Sequence, residues 1–313
     1  MIVFRGIENI TEDFRGSYVT IGNFDGVHLS HQFICRKLAH EAEAASAQSL
    51  VITFEPHPKM ILHPAIKPFY LITTLEEKLE LLEKCGINGV LIIPFSADYA
   101  GTTAAEFCHD LLWKRLAIKK IIIGHDYTFG KGKEGNSEYL KVCGRGLGFA
   151  VEEIDAFKVG ENIVSSTLIR NLLRQGDMKA AAGLLGRYYN AGEIVVAGQG
   201  RGVILGFPTA NIVSEKELLP SPGIYAAFAD LEGRRYQAAL NVGAKPTFND
   251  YIFTFEVHLL DFVGDIRGKI INVCFVEKIR DIVKFDSTEK LKEQIASDIK
   301  TARNILAEST IKK

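Results

Sequence analysis

Through the first part of the chain, short apolar runs alternate with segments of helical period. Ser17–Gly22, Ser49–Phe54, Gly89–Pro94 and Ile121–Ile123 read as strands. Between them a helix is expected from about Leu29 to Ala45, with Phe33, Ile34, Leu38, Ala39 and Ala42 on one face. A second is expected over Leu75–Cys85, opened by the capping-box pair Thr74 and Glu77 and stopped by Gly86. Thr103 and Glu106 open a third, to about Leu116. This alternation calls for an α/β domain whose parallel sheet is covered on both faces. After Gly186 the rhythm changes. Strands near 192–197, 223–230, 235–242, 252–260 and 269–277, joined by Gly- and Pro-bearing connections, suit a small antiparallel β-barrel. A terminal helix from about Ser287 to Leu306 offers Leu291, Ile295, Ile299 and Ile305 for docking. Two short helices over 166–185, split by Gly176, end the first domain, so the domains are expected to span 1–186 and 187–313.

Composition narrows the partners. The formal charge is −1, so no global basic field draws the chain to nucleic acid. The five cysteines are scattered, with no C-x-x-C pair, which argues against a zinc site or disulfide framework and for a reducing cytoplasm. The N-terminus carries acids early and lacks the apolar core of a signal peptide. The longest apolar runs, such as Val90–Ile93, suit a buried strand and are too short to span a membrane.

The densest motif of the first half is Gly22-Asn23-Phe24-Asp25-Gly26-Val27-His28-Leu29-Ser30-His31, where the first strand gives way to the first helix. Ligands of open α/β sheets bind at the carboxyl ends of strands, and a helix start presents free N–H groups to phosphate. Two histidines three apart at that junction can both point at one anion, or can simply belong to a helix start; without a third ligand they make a poor metal site. Thr53-Phe54-Glu55-Pro56-His57-Pro58 follows the second strand, and Gly124-His125-Asp126-Tyr127-Thr128-Phe129-Gly130 follows the fourth. Ser165-Ser166-Thr167-Leu168-Ile169-Arg170 combines hydroxyls that cap a helix with an arginine one turn on, whose planar fork suits an anion.

In the second half, four glycines between Gly198 and Gly206 lead into Phe207-Pro208-Thr209-Ala210-Asn211. Gly-rich backbone can wrap a phosphate closely, although the spacing fits neither a Walker A loop nor a Rossmann fingerprint. Phe253–Phe262 alternates as a strand: Phe253, Phe255, Val257 and Leu259 share one face, and Glu256 lies opposite with Thr254 and His258.

Together these segments resemble, in order, the bacterial bifunctional riboflavin kinase/FAD synthetase family. The first motif matches G-x-F-D-G-V-H-x-G-H except that Ser30 stands where the pattern has glycine. T-F-x-P-H-P, G-x-D-F-x-F-G, S-S-T-x-I-R, G-F-P-T-A-N and E-V-H-L-L-D-F follow. The resemblance implies a Rossmann-like nucleotidyltransferase domain followed by a riboflavin kinase barrel. It implies catalytic roles for His28, His31, Arg170 and Glu256, the last as base. It implies ATP or phosphate contacts at Gly22, Phe24, Asp25, Gly26, Ser165, Ser166, Thr167, Gly198, Gly200, Arg201, Gly206 and Pro208. Asp126, Tyr127, Phe129, Arg280 and Phe285 are expected against the flavin, and Thr209 and Asn211 on Mg²⁺. The reactions implied are phosphorylation of riboflavin to FMN and adenylyl transfer from ATP to FMN, giving FAD and pyrophosphate, each centre binding its own ATP. A monomer or weak homo-oligomer is expected. A chain active only as the kinase, or a flavin-sensing regulator, remains open at this point.

Overall fold

The computed structural model describes residues 1–313 except 64, 66–68, 197–201, 203–204, 215, 217, 247–250 and 310–313. Two compact units emerge, Met1–Ser165 and Ser166–Lys313.

The first unit is built on six parallel strands: β1 (Ile2–Arg5), β2 (Tyr18–Ile21), β3 (Ser49–Glu55), β4 (Gly89–Pro94), β5 (Lys120–Gly124) and β6 (Ala150–Ile154). Their order is β1-β4-β3-β2-β5-β6. The four inner strands are those marked by apolar runs. The two edges carry weaker patterns because they are only half covered: three of four β1 residues are exposed, and β6 contains Glu152 and Glu153. Strand side chains alternate between two cores. Val51, Val90 and Ile122 pack with α1 (Leu29–Ala44) through Ile34, Cys35 and Leu38. Leu50, Ile52, Ile121 and Ile123 face Phe107, Leu111 and Leu112 on the opposite side. Phe33 departs from the expected stripe. It is 45% exposed, beside Phe157, and Cys35 fills the inward position.

The remaining helices of this unit are α2 (Pro58–Leu62), α3 (Leu75–Glu83), α4 (Ala104–Glu106) and α5 (Ser137–Leu147). Helix α4 runs on as a π-helical segment, Phe107–Arg115. Both expected capping boxes, Thr74 with Glu77 and Thr103 with Glu106, are formed. A small hairpin, β7 (Lys158–Val159) and β8 (Asn162–Ile163), follows the sheet.

The second unit opens with α6 (Ser166–Gln175) and α7 (Met178–Leu185). Six antiparallel strands then close into a barrel in the order β10-β13-β12-β11-β14-β9. They are β9 (Tyr189–Val196), β10 (Ala210–Ile212), β11 (Gly223–Leu231), β12 (Arg234–Pro246), β13 (Tyr251–Leu259) and β14 (Ile270–Arg280). The three residues of β10 are too few to show an alternation, and the sequence pattern did not announce it. Helix α7 buries Met178, Ala181, Ala182 and Leu185 and packs on β9 and β14. The helix pair therefore belongs to the barrel unit, and the compact division falls at Ser165 rather than at 186. The terminal helix α8 (Thr288–Ala307) buries Asp298, Ala302 and Leu306; of the residues expected to dock, Ile305 packs against the same cluster, and Leu291, Ile295 and Ile299 are half-buried. Ala302 and Leu306 sit on Ala226 and Val276. Asp298 is tolerated inside because Arg280 grips both of its carboxylate oxygens, at 2.9 and 2.7 Å.

Candidate active sites

In the first unit, β2 ends at Ile21 and a tight turn leads into α1. Phe24, Gly26 and Val27 all have positive φ, at 49°, 84° and 36°. Phe24 and Val27 adopt that region only because their side chains are locked in the core, 3% and 0% exposed. Gly26 has no such freedom to exchange: a Cβ there would lie 3.0 Å from Ile72 Cδ1. Neighbouring segments hold the turn. Thr73 Oγ1 accepts from Gly26 N–H, Thr53 Oγ1 donates to Asn23 O, and Gln32 Nε2 donates to Val27 O.

This turn presents both histidines at the start of α1. His28 is the N-cap, its Nδ1 accepting from His31 N–H at 3.4 Å. The two rings stack with centroids 3.6 Å apart. His31 Nδ1 is buried and has no hydrogen-bond partner among the described residues. Burial first, then the His28 ring and the Lys78 amine, hold the His31 imidazole well below its ordinary pKa. His31 is thus a neutral ring with an unused polar atom. Ser30 lies within α1 in ordinary helical backbone, so glycine's conformational freedom is not called for there.

Asp25 takes a different part from the one expected of it. It is 1% exposed, and its Oδ1 accepts from the backbone N–H groups of Ile72 and Thr73. Asp25 thereby clamps the 72–73 segment behind the turn. Lys78, on α3, went unremarked in the sequence although it sits on that helix's apolar face with Leu75 and Leu82. It is 4% exposed, its pKa lowered by burial against the opposing pull of Glu55 and Asp25. His57 caps α2, its Nδ1 accepting from Lys59 N–H at 3.1 Å.

Of the aromatic turn after β5, Phe129 is 8% exposed and packs into the sheet core against Phe107 and Tyr139. Tyr127 stacks on it at 5.6 Å, and Asp126 is exposed. Ser165 ends this unit; Ser166, Thr167 and Arg170 lie on α6 in the other.

The second unit holds a cavity of about 670 Å³, within the size of ordinary small-molecule sites. It lies on the outer face of the barrel. Phe255, Val257 and Leu259 of β13 point inward and are buried, which turns Glu256 and His258 outward, as the alternation foretold. Register then assembles the floor. Glu256 is directly opposite Asn211 on β10 and Asn241 on β12. Asn241 is opposite Ile224 on β11, and Ile224 is opposite Arg280 on β14. Asn211, Glu256, Asn241, Ile224 and Arg280 thus form one row across five strands, and all five line the cavity. Directly opposite residues share a face and lie about 5 Å apart at Cβ. Leu291, Ile295 and Ile299 of α8, with Phe285, make an apolar wall.

Thr209 lines the same cavity next to Asn211, and a Cβ on Gly202 would approach Thr209 Oγ1 to 2.9 Å. Pro208 contributes its carbonyl to structure, accepting from His258 Nδ1 at 2.8 Å. Gly206 has φ 88°, a conformation that favours glycine. Gly198, Gly200 and Arg201 lie outside the described residues. Arg280 lines the cavity while its guanidinium pairs with Asp298 and donates to the Asp281 carbonyl. It also stands over the Phe285 ring at 5.8 Å.

A parallel α/β unit with a histidine pair at its first helix is thus followed by a barrel that carries a carboxylate between two amides. The FAD synthetase family model matches residues 10–168, and the riboflavin kinase model matches 185–306. The bifunctional riboflavin kinase/FMN adenylyltransferases of Haemophilus influenzae and Escherichia coli K12 are each 36% identical to the chain, over 97% of it and 98% and 97% of theirs. That of Pseudomonas fluorescens is 34% identical over 99% of both. The chain belongs to this family, and carries riboflavin kinase and FMN adenylyltransferase activities with ATP as co-substrate. A crystal structure described as a macrolide-efflux protein from Streptococcus pneumoniae has the same fold. It gives TM-score 0.89 at 31% identity, over 97% of this chain and 99% of that one. Among the described residues no helix is long and apolar enough to cross a membrane.

Proposed function

We propose that the two activities are divided between the histidine turn and the barrel row. In the first unit, His28 and His31 donate hydrogen bonds to phosphate oxygens of ATP as FMN displaces pyrophosphate, stabilising charge that grows in the transition state. The buried, unpartnered Nδ1 of His31 supports this, because an orphaned polar atom in an otherwise packed turn calls for a ligand. Gly22, Phe24 and Gly26 shape the backbone around that nucleotide. The Ser165–Arg170 element is assigned to phosphate on its sequence pattern, and Asp126 and Tyr127 are assigned to the flavin. The functional spans are taken as 1–186 and 187–313, with most of the helix pair, residues 169–184, falling between the two family matches.

In the barrel, Glu256 takes the proton of the riboflavin 5′-hydroxyl as that oxygen attacks the γ-phosphorus of ATP. Thr209 and Asn211 would hold Mg²⁺. Both offer hard oxygens, and among the described residues no cluster of three or more His, Cys, Asp or Glu competes for a metal. Such a site needs the nucleotide's own phosphate oxygens to complete its shell, which is how Mg²⁺ is commonly held, and the ion would neutralise phosphate charge there. Phe285 and the α8 wall are assigned to the flavin ring. The chain's five cysteines are free thiols, which suits a cytoplasmic enzyme.

The row centred on Glu256 carries this conclusion most directly. Glu256→Gln should reduce FMN formation from riboflavin by at least about 10²-fold while leaving FAD formation from supplied FMN unchanged. His31→Gln should do the reverse. Unaltered FMN formation in Glu256→Gln would refute the base assignment, and unaltered FAD formation in His31→Gln would refute the histidine site.

A further inference from the structure

Within the row Asn211–Glu256–Asn241–Ile224–Arg280, Asn241 is the polar member without a task. Asn211 has its metal, Glu256 its proton, and Arg280 its ion pair with Asp298. Asn241 Oδ1 is buried and has no hydrogen-bond partner among the described residues. Its flanking positions are the Glu256 carboxylate on one side and the apolar Ile224 on the other. A native fold rarely leaves an amide oxygen in that condition unless a bound molecule brings the donor. Asn241 is one of the residues lining the cavity, so the donor is sought in what the cavity holds.

The substrate's chemistry limits the choice. The isoalloxazine ring suits the apolar wall, and the nucleotide enters at the Thr209–Asn211 end. Between them runs the ribityl chain, a series of hydroxyls on consecutive carbons. With the terminal hydroxyl at Glu256, the next position along the row is one strand spacing farther from the phosphate, about 4.8 Å. The hydroxyl that falls there is the one adjacent to the reacting group. Beyond it, Ile224 offers no polar atom to the rest of the chain.

We propose that Asn241 is a specificity-determining residue of the kinase. Its Oδ1 accepts a hydrogen bond from the ribityl 4′-hydroxyl and thereby sets the register that brings the 5′-hydroxyl to Glu256. This rests on Glu256 being the base. A hydroxyl-accepting site discriminates strongly against an analogue lacking the hydroxyl, because its own acceptor is then left unpaired.

The test compares riboflavin with 4′-deoxyriboflavin in the full-length protein, wild type and Asn241→Leu, by kinase kcat/KM. Wild type should prefer riboflavin by roughly 10- to 100-fold, and Asn241→Leu should lose about that factor on riboflavin with little further loss on the analogue. Absence of a wild-type preference, or equal losses on both substrates in the variant, overturns the proposal; equal loss is what a general distortion of the barrel produces. If the melting temperature shows that Asn241→Leu does not fold, Asn241→Ser, which keeps a shorter acceptor, takes its place. Reduced but surviving discrimination then supports the assignment, and unchanged discrimination refutes it. Glu256→Gln assayed alongside separates the two claims: kinase activity there removes the base assignment, while the Asn241 comparison is still read from the wild type and its variant.

Discussion

At His31, burial, the stacked His28 ring and the Lys78 amine all oppose a positive imidazole. The folded-state pKa therefore lies below the ordinary 6.5, and below that pH the unfolded chain takes up a proton that the folded chain refuses. Stability from this group is complete above about pH 6.5 and is lost as pH falls toward the folded pKa. Melting temperatures at pH 7.5 and 5.5 should differ less in His31→Gln than in wild type; an equal or larger difference would mean that His31 is charged in the fold. Gly26 offers a second test at this scale. An alanine would meet Ile72 at 3.0 Å and carry a Cβ at φ 84°. A loss of about 1–2 kcal/mol in urea unfolding is expected, with FAD formation falling more than FMN formation.

Between elements, the ion pair of Arg280 and Asp298 fastens α8 to β14, with Gln294 Nε2 also donating to Asp298 at 2.9 Å. Asp298→Ala would leave a largely covered guanidinium uncompensated and should cost about 3 kcal/mol in denaturant unfolding. The KM for riboflavin should rise with it, because Leu291, Ile295 and Ile299 hang from the same helix. This pairing also marks where sequence alone ran out. Asp298 falls on the covered side of α8, and only a partner 18 residues away makes that position possible. The face of Glu256, by contrast, follows from period two within one strand and was legible. So were the inner strands of the sheet, both capping boxes and the histidine turn, each a local pattern. Asn241 acquires meaning only through the registers of β12 with β13 and of β10 with β13, which no local pattern encodes. The edge strands β1 and β6 and the short β10 were likewise missed, since half-covered or three-residue strands carry little periodicity.

For the whole molecule, two units with separate chemical groups predict separable activities. A mixture of Glu256→Gln and His31→Gln proteins should convert riboflavin to FAD, through FMN released into solution. Calorimetric titration of wild type should give two ATP per chain, one lost when Asn211 or Thr209 is replaced by a bulky apolar residue. A single ATP in wild type would contradict two independent centres.

The barrel row has a consequence in time as well as in space. Its five members come from five strands and are separated by up to 69 positions, from Asn211 to Arg280, so none of the kinase centre exists before the strands find one another. Contacts of such long sequence separation form late in folding. The histidine pair is already adjacent in a stretch of four residues and needs far less of the chain. In a refolding experiment, kinase activity is therefore a clock for barrel closure.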